Sequence, residues 1–381
     1  MNRIQCGITA MAVVIGTIVA GRVSADEVAE RLASLERQVA ALSADKGEGG
    51  LAAGLSSKTS IGGYGELHYN TLDGKGGASD KDEVDFHRFV LFFGHQFSDR
   101  IRLQTEFELE HSLSGEGKPG EVELEQAFID FDLNDDHTAR AGLFIIPVGF
   151  LNQHHEPPLF YGVERNPIES NILPTTWWEA GAGLHGSLVE VLSYQAYVHS
   201  GLATSTSAVY AVRSGRKKVA NAPASDPAAT LALVWNVPGL TVGGALHYQA
   251  DITQGEVAEA GSAWMGEVHA EVKHGPFALR ALYAEWQLDG DGPESVDADR
   301  QFGWFVEPSL RLSRYVGVFA RFNQWDNQAG SSASKSRREQ VDAGINWWPH
   351  AQVVLKADYQ WQDNRNGKEQ EGMNLAVGYA F

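Results

Sequence analysis

The feature that most constrains this chain is a double alternation. From residue 60 onward apolar and polar residues take turns, and so do short and long connections between the alternating segments. In Arg100–His111, Ile101, Leu103, Thr105, Phe107 and Leu109 share one side, while Arg102, Gln104, Glu106, Glu108 and Glu110 share the other. Trp264–Lys273 repeats the pattern, and Leu375, Val377, Tyr379 and Phe381 alternate with small or polar neighbours. A period of two makes these strands with one apolar and one polar face. Tight links fall near 98–99, 134–136, 187–190, 238–239, 275–276, 313–314 and 349–350. Longer polar links occupy about 71–83, 112–121, 147–178, 202–227, 252–261, 289–299, 327–338 and 363–372. Fifteen connections in strict alternation join sixteen strands. Transmembrane barrels are organised this way, with short turns on one side and long loops on the other. A soluble β-sandwich is the competing all-β reading, but it does not call for such regular alternation of loop length. Lipid supplies no hydrogen bonds, so a spanning sheet must close on itself. The expected fold class is all-β: a transmembrane antiparallel β-barrel of about 16 strands over residues 60–381, preceded by a short N-terminal helix.

Aromatic residues fit that expectation. Phe (17), Tyr (11) and Trp (10) are abundant, and Trp177-Trp178, Trp235, Trp347-Trp348, Tyr359 and Trp361 stand at strand ends, where interfacial girdles would use them.

The N-terminal residues read as an address. Arg3 precedes the apolar run Gly7–Gly21, and Val23-Ser24-Ala25 supplies a small-residue cleavage site, so residues 1–25 are expected to be a signal peptide. An uncleaved anchor is the alternative. Cleavage would remove Cys6, Arg3 and Arg22, taking the net charge from −19 to −21. Val28, Leu32, Leu35, Val39 and Leu42 then form an a/d seam, and residues 26–45 are expected to be a periplasmic coiled-coil-like helix. A single amphipathic helix lying on the rest of the protein satisfies the same spacing. The Gly-, Ser- and Ala-rich residues 46–59 read as a flexible linker.

Several function classes drop out. With 49 Asp+Glu against 30 Lys+Arg, the chain lacks the basic balance that nucleic-acid binding needs. One cysteine permits neither an intrachain disulfide nor a cysteine-based zinc site. No stretch is long and apolar enough for a helical span. A lipase-like barrel would need a Gly-x-Ser-x-Gly elbow, which is absent, so neither enzymatic activity nor a cofactor is expected.

Beyond pattern, particular segments resemble a family. GGYGELHYN (62–70), LEQAFIDFDL (124–133) and AGLFIIPVGFLNQHHEPPLFYGVERN (141–166) are similar to the phosphate-selective porin O/P family of Gram-negative outer membranes. The likeness runs along the whole barrel and is most specific between Ala141 and Glu179. It implies an outer-membrane homotrimer whose third outer loop narrows the channel, with outer-membrane lipid and lipopolysaccharide around it. It also implies that the barrel-assembly machinery reads the terminal segment ending in Phe381. Passive diffusion of ions and small hydrophilic solutes is the expected function. A selective oxyanion porin and a closed structural or adhesive barrel are the alternatives. The family's phosphate selectivity rests on clustered lysines and arginines, whereas this chain is acidic.

The link 147–178 is the prime functional segment. It carries His154, His155, Glu156 and Arg165 among five prolines and several aromatics, the composition of a loop with a packed shape. Constriction inside the barrel is expected; a cap or trimer contact outside it is the alternative. His154, His155 and Glu156 invite a metal reading, but adjacent residues of extended chain point apart and no HExxH spacing is present. Alternation places Arg102, Arg140, Arg280 and Arg311 in the lumen near tight turns, with Arg321 and Lys356 deeper and Glu106 and Glu108 toward the long loops. An acidic outer zone and a basic inner band would follow. The alternative is that these cations pair with neighbouring carboxylates such as Glu307 or Asp358 as struts across the wall.

Overall fold

The computed structural model describes residues 58–331 and 335–381, so the expected leader, the coiled-coil-like helix and nearly all of the linker lie outside the described residues. Sixteen strands follow. The first eight are β1 (Thr59–Lys75), β2 (Lys81–Ser98), β3 (Ile101–Glu110), β4 (Val122–Asp132), β5 (His137–Ile145), β6 (Trp178–Val189), β7 (Leu192–His199) and β8 (Ala228–Val237). The rest are β9 (Leu240–Gln249), β10 (Ala263–His274), β11 (Phe277–Leu288), β12 (Arg300–Arg311), β13 (Val316–Asp326), β14 (Arg338–His350), β15 (Val353–Asn364) and β16 (Glu369–Ala380). Each pairs antiparallel with its chain neighbours, and β16 pairs with β1 from Tyr64↔Ala380 to Lys75↔Glu369, closing the barrel. Closure removes both sheet edges, which is what a bilayer demands.

The strand count and the alternation of links agree with the sequence expectation. The first and last long links do not: they shrink to 76–80 and 365–368. Thr71–Lys75 and Glu369–Met373 are polar enough to read as loop, yet they pair with each other as the rim of the barrel.

The wall is inside-out relative to a soluble protein. Along β8, Leu231 and Leu233 face outward at 43% and 41% exposure, while the alternating Thr230 and Ala232 are buried inside. Trp235, Trp264, Trp347, Tyr359 and Trp361 also point outward, and Tyr248 packs across the strand pair on Trp264 in a tilted arrangement with ring centroids 4.4 Å apart. An apolar, aromatic-rimmed exterior around a polar-lined interior is the surface of a transmembrane barrel. Three expected girdle residues differ. Trp177, Trp178 and Trp348 are buried, because the third loop and its wall contacts need them inside.

Two β-bulges re-aim side chains. Glu125 is the extra residue in β4 where the register shifts opposite Glu106 and Phe107, so Glu123 and Glu125 lie buried on the lumen side with Phe128 and Asp130. In β2, Phe86 and His87 together face the single residue Leu67, and beyond them Asp85 pairs with His68.

Candidate functional site

The third long-loop connection, residues 146–177, does not leave the barrel. Its neck is fixed first. Asn152 donates its side-chain amide to the carbonyls of Ile146 (2.7 Å) and Trp177 (2.9 Å), while the Trp177 amide donates to Asn152 Oδ1 at 2.8 Å. Gly149 then turns with φ +64°, and a Cβ there would come within 2.3 Å of Glu169 Oε1. That carboxylate oxygen instead accepts the amides of Phe150 and Leu151, both at 2.6 Å. Glu169 belongs to a one-turn helix, α1 (Pro167–Asn171), with Pro at its first position and Asn166 as cap, whose side chain accepts the Glu169 amide. Burial pushes the Glu169 carboxyl up, against the pull of those donors. Ile168, Ile172, Leu173 and Trp177 pack with Phe144, Met265, Leu282, Trp286 and Phe305 of the wall in one apolar cluster. At the level of this cluster the lumen along β5 to β12 is filled by apolar side chains, where sequence alternation alone suggested a polar lining.

On the opposite wall the loop is held by polar side chains. Trp348 Nε1, Asn346 Nδ2 and Lys356 Nζ donate to the carbonyls of Pro158 (3.2 Å), Phe160 (3.1 Å) and Gly162 (2.8 Å). The Val163 amide donates to Asp358 at 2.5 Å. Glu164 accepts from Asn70 at 3.1 Å and meets His68 Nδ1 at 3.2 Å. His155 reaches a third stretch of wall, its Nε2 lying 3.4 Å from Glu106 and 3.6 Å from Glu125 while its Nδ1 meets the Asn152 carbonyl at 3.0 Å. Burial and the Arg165 charge oppose protonation of His155, but the two carboxylates prevail and push it up to about 10. At Gly378 the loop and wall come so close that a Cβ would sit 2.3 Å from Pro157.

The fourth long loop, residues 200–227, also turns inward. Arg213 donates to the carbonyls of Ser170 (2.7 Å) and Thr175 (2.9 Å), and Arg216 to that of Thr176 (2.5 Å). Arg165 donates to Thr176 Oγ1 at 2.9 Å, and its Nε and Nη2 have no hydrogen-bond partner among the described residues. Arg88, Arg165 and Arg213 line a cavity of about 170 Å³ together with Glu66, His68 and Glu164. Toward the short turns a wider cavity of about 560 Å³ runs between Pro147–Leu159 and the wall at Glu267, His269, Glu271 and Arg280.

The sequence-derived residues divide by role. Within the loop, His155 is an anchor, His154 is exposed toward the cavity shared with Arg140 and His185, and Glu156 leads into a 3₁₀ turn at Pro157–Leu159. Of the lumen cations, Arg102 pairs with Asp132 and Asp130, and Arg140 reaches Asp130 at 2.8 Å and 3.0 Å. Arg280 meets Glu271 at 2.6 Å, and Arg321 meets Glu307 at 3.1 Å and Asp342 at 3.0 Å. Lys356 lies over the Phe160 ring, and Arg311 over Trp348. These four arginines thus meet five carboxylates, the strut arrangement rather than a band of free positive charge. Glu106 and Glu108 are buried in the lumen, Glu106 accepting from Gln126 and Glu108 lying 3.8 Å from Arg88.

Sequence reasoning passed over Glu66, His68, Arg88, Glu125, Glu164, Arg213 and Arg216. The bulges hide Arg88 and Glu125 by breaking the count of two. A signal for the fourth loop was present: Arg213, Arg216, Lys217 and Lys218 form a basic run in an otherwise acidic chain.

A sixteen-stranded antiparallel barrel with its third loop folded inward is the architecture of a porin. No family model matches the sequence. An uncharacterized protein of Aquifex aeolicus (strain VF5) is 27% identical over 361 residues, spanning 84% of this chain and 80% of its own length. The anion-selective porin from Comamonas acidovorans superposes with a TM-score of 0.60 at 10% identity, covering 85% of this chain and 99% of that one. The outer membrane channel DcaP of Acinetobacter baumannii gives 0.58 at 12% identity, over 85% and 97% of the two chains. Pseudomonas putida OprB gives 0.54 at 10% identity, over 86% and 95%. At such identities the likeness is one of fold, and that fold is the outer-membrane porin barrel.

Proposed function

We propose that this protein is an outer-membrane porin that lets ions and small hydrophilic solutes diffuse passively, with loop 147–178 as its constriction. One observation carries the reading: the third loop is stitched to opposite walls of the lumen, and Arg88, Arg165 and Arg213 meet Glu66 and Glu164 around a small cavity beside it. Charged groups facing one another across a narrow passage orient and filter polar solutes, and rings of charge set the sign of selectivity. Arg165 and Arg213 are the residues that set that sign, whereas Arg102, Arg140, Arg280 and Arg321 serve the wall. The sequence resemblance supports placing the chain near the phosphate-selective porin O/P family and assembling it as a homotrimer in lipopolysaccharide-containing outer membrane. Phe381 offers the assembly machinery an outward-facing ring, its backbone bonded both ways to Gly63 at 2.8 Å and 3.0 Å.

Planar-bilayer recording across a salt gradient tests this. Conductance steps in multiples of three, with selectivity moving toward cations in Arg165→Gln and Arg213→Gln, are expected. Correctly folded barrels that give no steps would overturn the channel and leave a plugged or adhesive barrel. The Nε and Nη2 of Arg165, without a partner among the described residues, favour a second reading, an oxyanion-selective pore. Block of chloride current by micromolar phosphate would establish it.

A further inference from the structure

At the long-loop end of the lumen, next to the arginine cavity that His87 also lines, three side chains converge in a way the channel does not require. Asp85 Oδ2 lies 3.1 Å from His87 Nδ1 and 2.8 Å from His111 Nδ1. All three ligand atoms fall within 4.8 Å of one another. The imidazoles stand edge to face with centroids 5.6 Å apart, and all three side chains are partly open to solvent. Two departures from regular backbone bring them together. The β2 bulge at Phe86 and His87 puts His87 beside Arg88 on the lumen side, where its ring stacks on His68 at 4.7 Å. At the end of β3, His111 and Ser112 both take left-handed backbone, with φ of 50° and 51°, although neither is glycine. Such backbone is disfavoured for side-chain-bearing residues and persists where the surroundings impose it. Here the His111 amide stays bonded to the His87 carbonyl at 3.1 Å while the chain turns out of the strand.

We propose that Asp85, His87 and His111 form a binding site for one divalent transition-metal ion of the zinc class. Two imidazole nitrogens and a carboxylate are the donor set such ions prefer, and magnesium or calcium would favour all-oxygen surroundings. Around a tetrahedral zinc with bonds near 2.0–2.1 Å, donor atoms sit roughly 3.3 Å apart. The observed 2.8 and 3.1 Å separations need to open by only a few tenths of an ångström. Three protein ligands leave a fourth position for water, and the partial exposure of the rings leaves an entry path. A bound ion would add positive charge to a mouth otherwise dense in carboxylates.

The test uses full-length protein in detergent, stripped with chelator and titrated calorimetrically with zinc chloride, with magnesium chloride as the contrasting ion. One zinc per chain is expected, weakened by at least about tenfold in His87→Ala and in His111→Ala. His154→Ala should leave binding unchanged, and magnesium should not compete. Stoichiometric zinc should also shield His87 and His111 of the wild-type protein from diethyl pyrocarbonate, read by peptide mass spectrometry. That readout needs no variant to fold. Unchanged affinity in both folded variants, or modification of both histidines at saturating zinc, would overturn the site.

Discussion

The two sides of the lumen are made of opposite materials. Along β5 to β12 the wall meets the third and fourth loops chiefly through the apolar Phe144, Tyr197, Met265, Leu282, Trp286 and Phe305, with Glu267, Gln249 and Gln301 adding a few polar contacts. Along β1 to β4 and β13 to β16 it meets them through His68, Asn70, Glu106, Glu125, Arg321, Asn346, Lys356 and Asp358. The apolar side fixes the position of the loop without direction, since burial is roughly proportional to area. The polar side fixes direction, because a hydrogen bond constrains angle as well as distance, as when Asn346, Lys356 and Trp348 each donate to one backbone carbonyl. A constriction needs both. Packing sets the depth to which the loop sinks, and the polar contacts decide which of its atoms face the passage.

That contrast can be broken from either side. The largest effect is expected from Trp177→Ala, which empties the centre of the apolar cluster and removes one of the two donors to Glu179; loss of about 3–5 kcal/mol should appear in denaturant unfolding of the lipid-inserted protein. On the polar side, Arg321→Met strands Glu307 and Asp342 and should cost about 3 kcal/mol in the same assay. Replacing all three by apolar residues should cost distinctly less, because no uncompensated charge remains. A wholly apolar substitution as damaging as the single one would refute the distinction between the two sides.

A pH effect comes next in size. His155 has its folded value raised from 6.5 to about 10, so its stabilisation of the loop is complete below 6.5 and fades as pH rises through about 10. Current fluctuations should therefore grow above pH 9 or so, and His155→Leu should abolish that pH dependence. Noise that rises identically in the variant would assign the effect elsewhere. The smallest change is expected from Asn166→Ala, which removes the cap of α1 and should lower stability by about 1 kcal/mol.

Much of this fold was legible in the order of residues, for a physical reason: a strand between lipid and lumen must alternate, and a closed barrel must alternate its links. The Arg100–His111 strand and the seven tight turns are direct expressions of those requirements. Where legibility failed, a local device interrupted the period. One extra residue in β4 places Glu125 inside, and one in β2 puts His87 and Arg88 on the lumen side together. Polar rims such as Thr71–Lys75 looked like loop because polarity records contact with water, not the absence of pairing. The proline-rich third loop announced a packed shape, but not which wall residues would hold it. Those partners lie up to 195 positions away, as for Val163 and Asp358, and single-sequence periodicity carries no such information.

The Asn152 neck has a consequence for how such a channel can change over generations. One side chain bridges Ile146 and Trp177, and the Ile146 amide donates to the Trp177 carbonyl at 3.0 Å, so the ladder between β5 and β6 is sealed before the loop begins. Strand register is thereby settled outside the segment 153–176. Residues within that segment are free to be exchanged, lengthened or shortened without shifting any strand by a residue, which would turn its lipid-facing side chains inward. The barrel in effect separates its chassis from its filter, and new selectivity can be tried on the one while the other stays seated in the membrane.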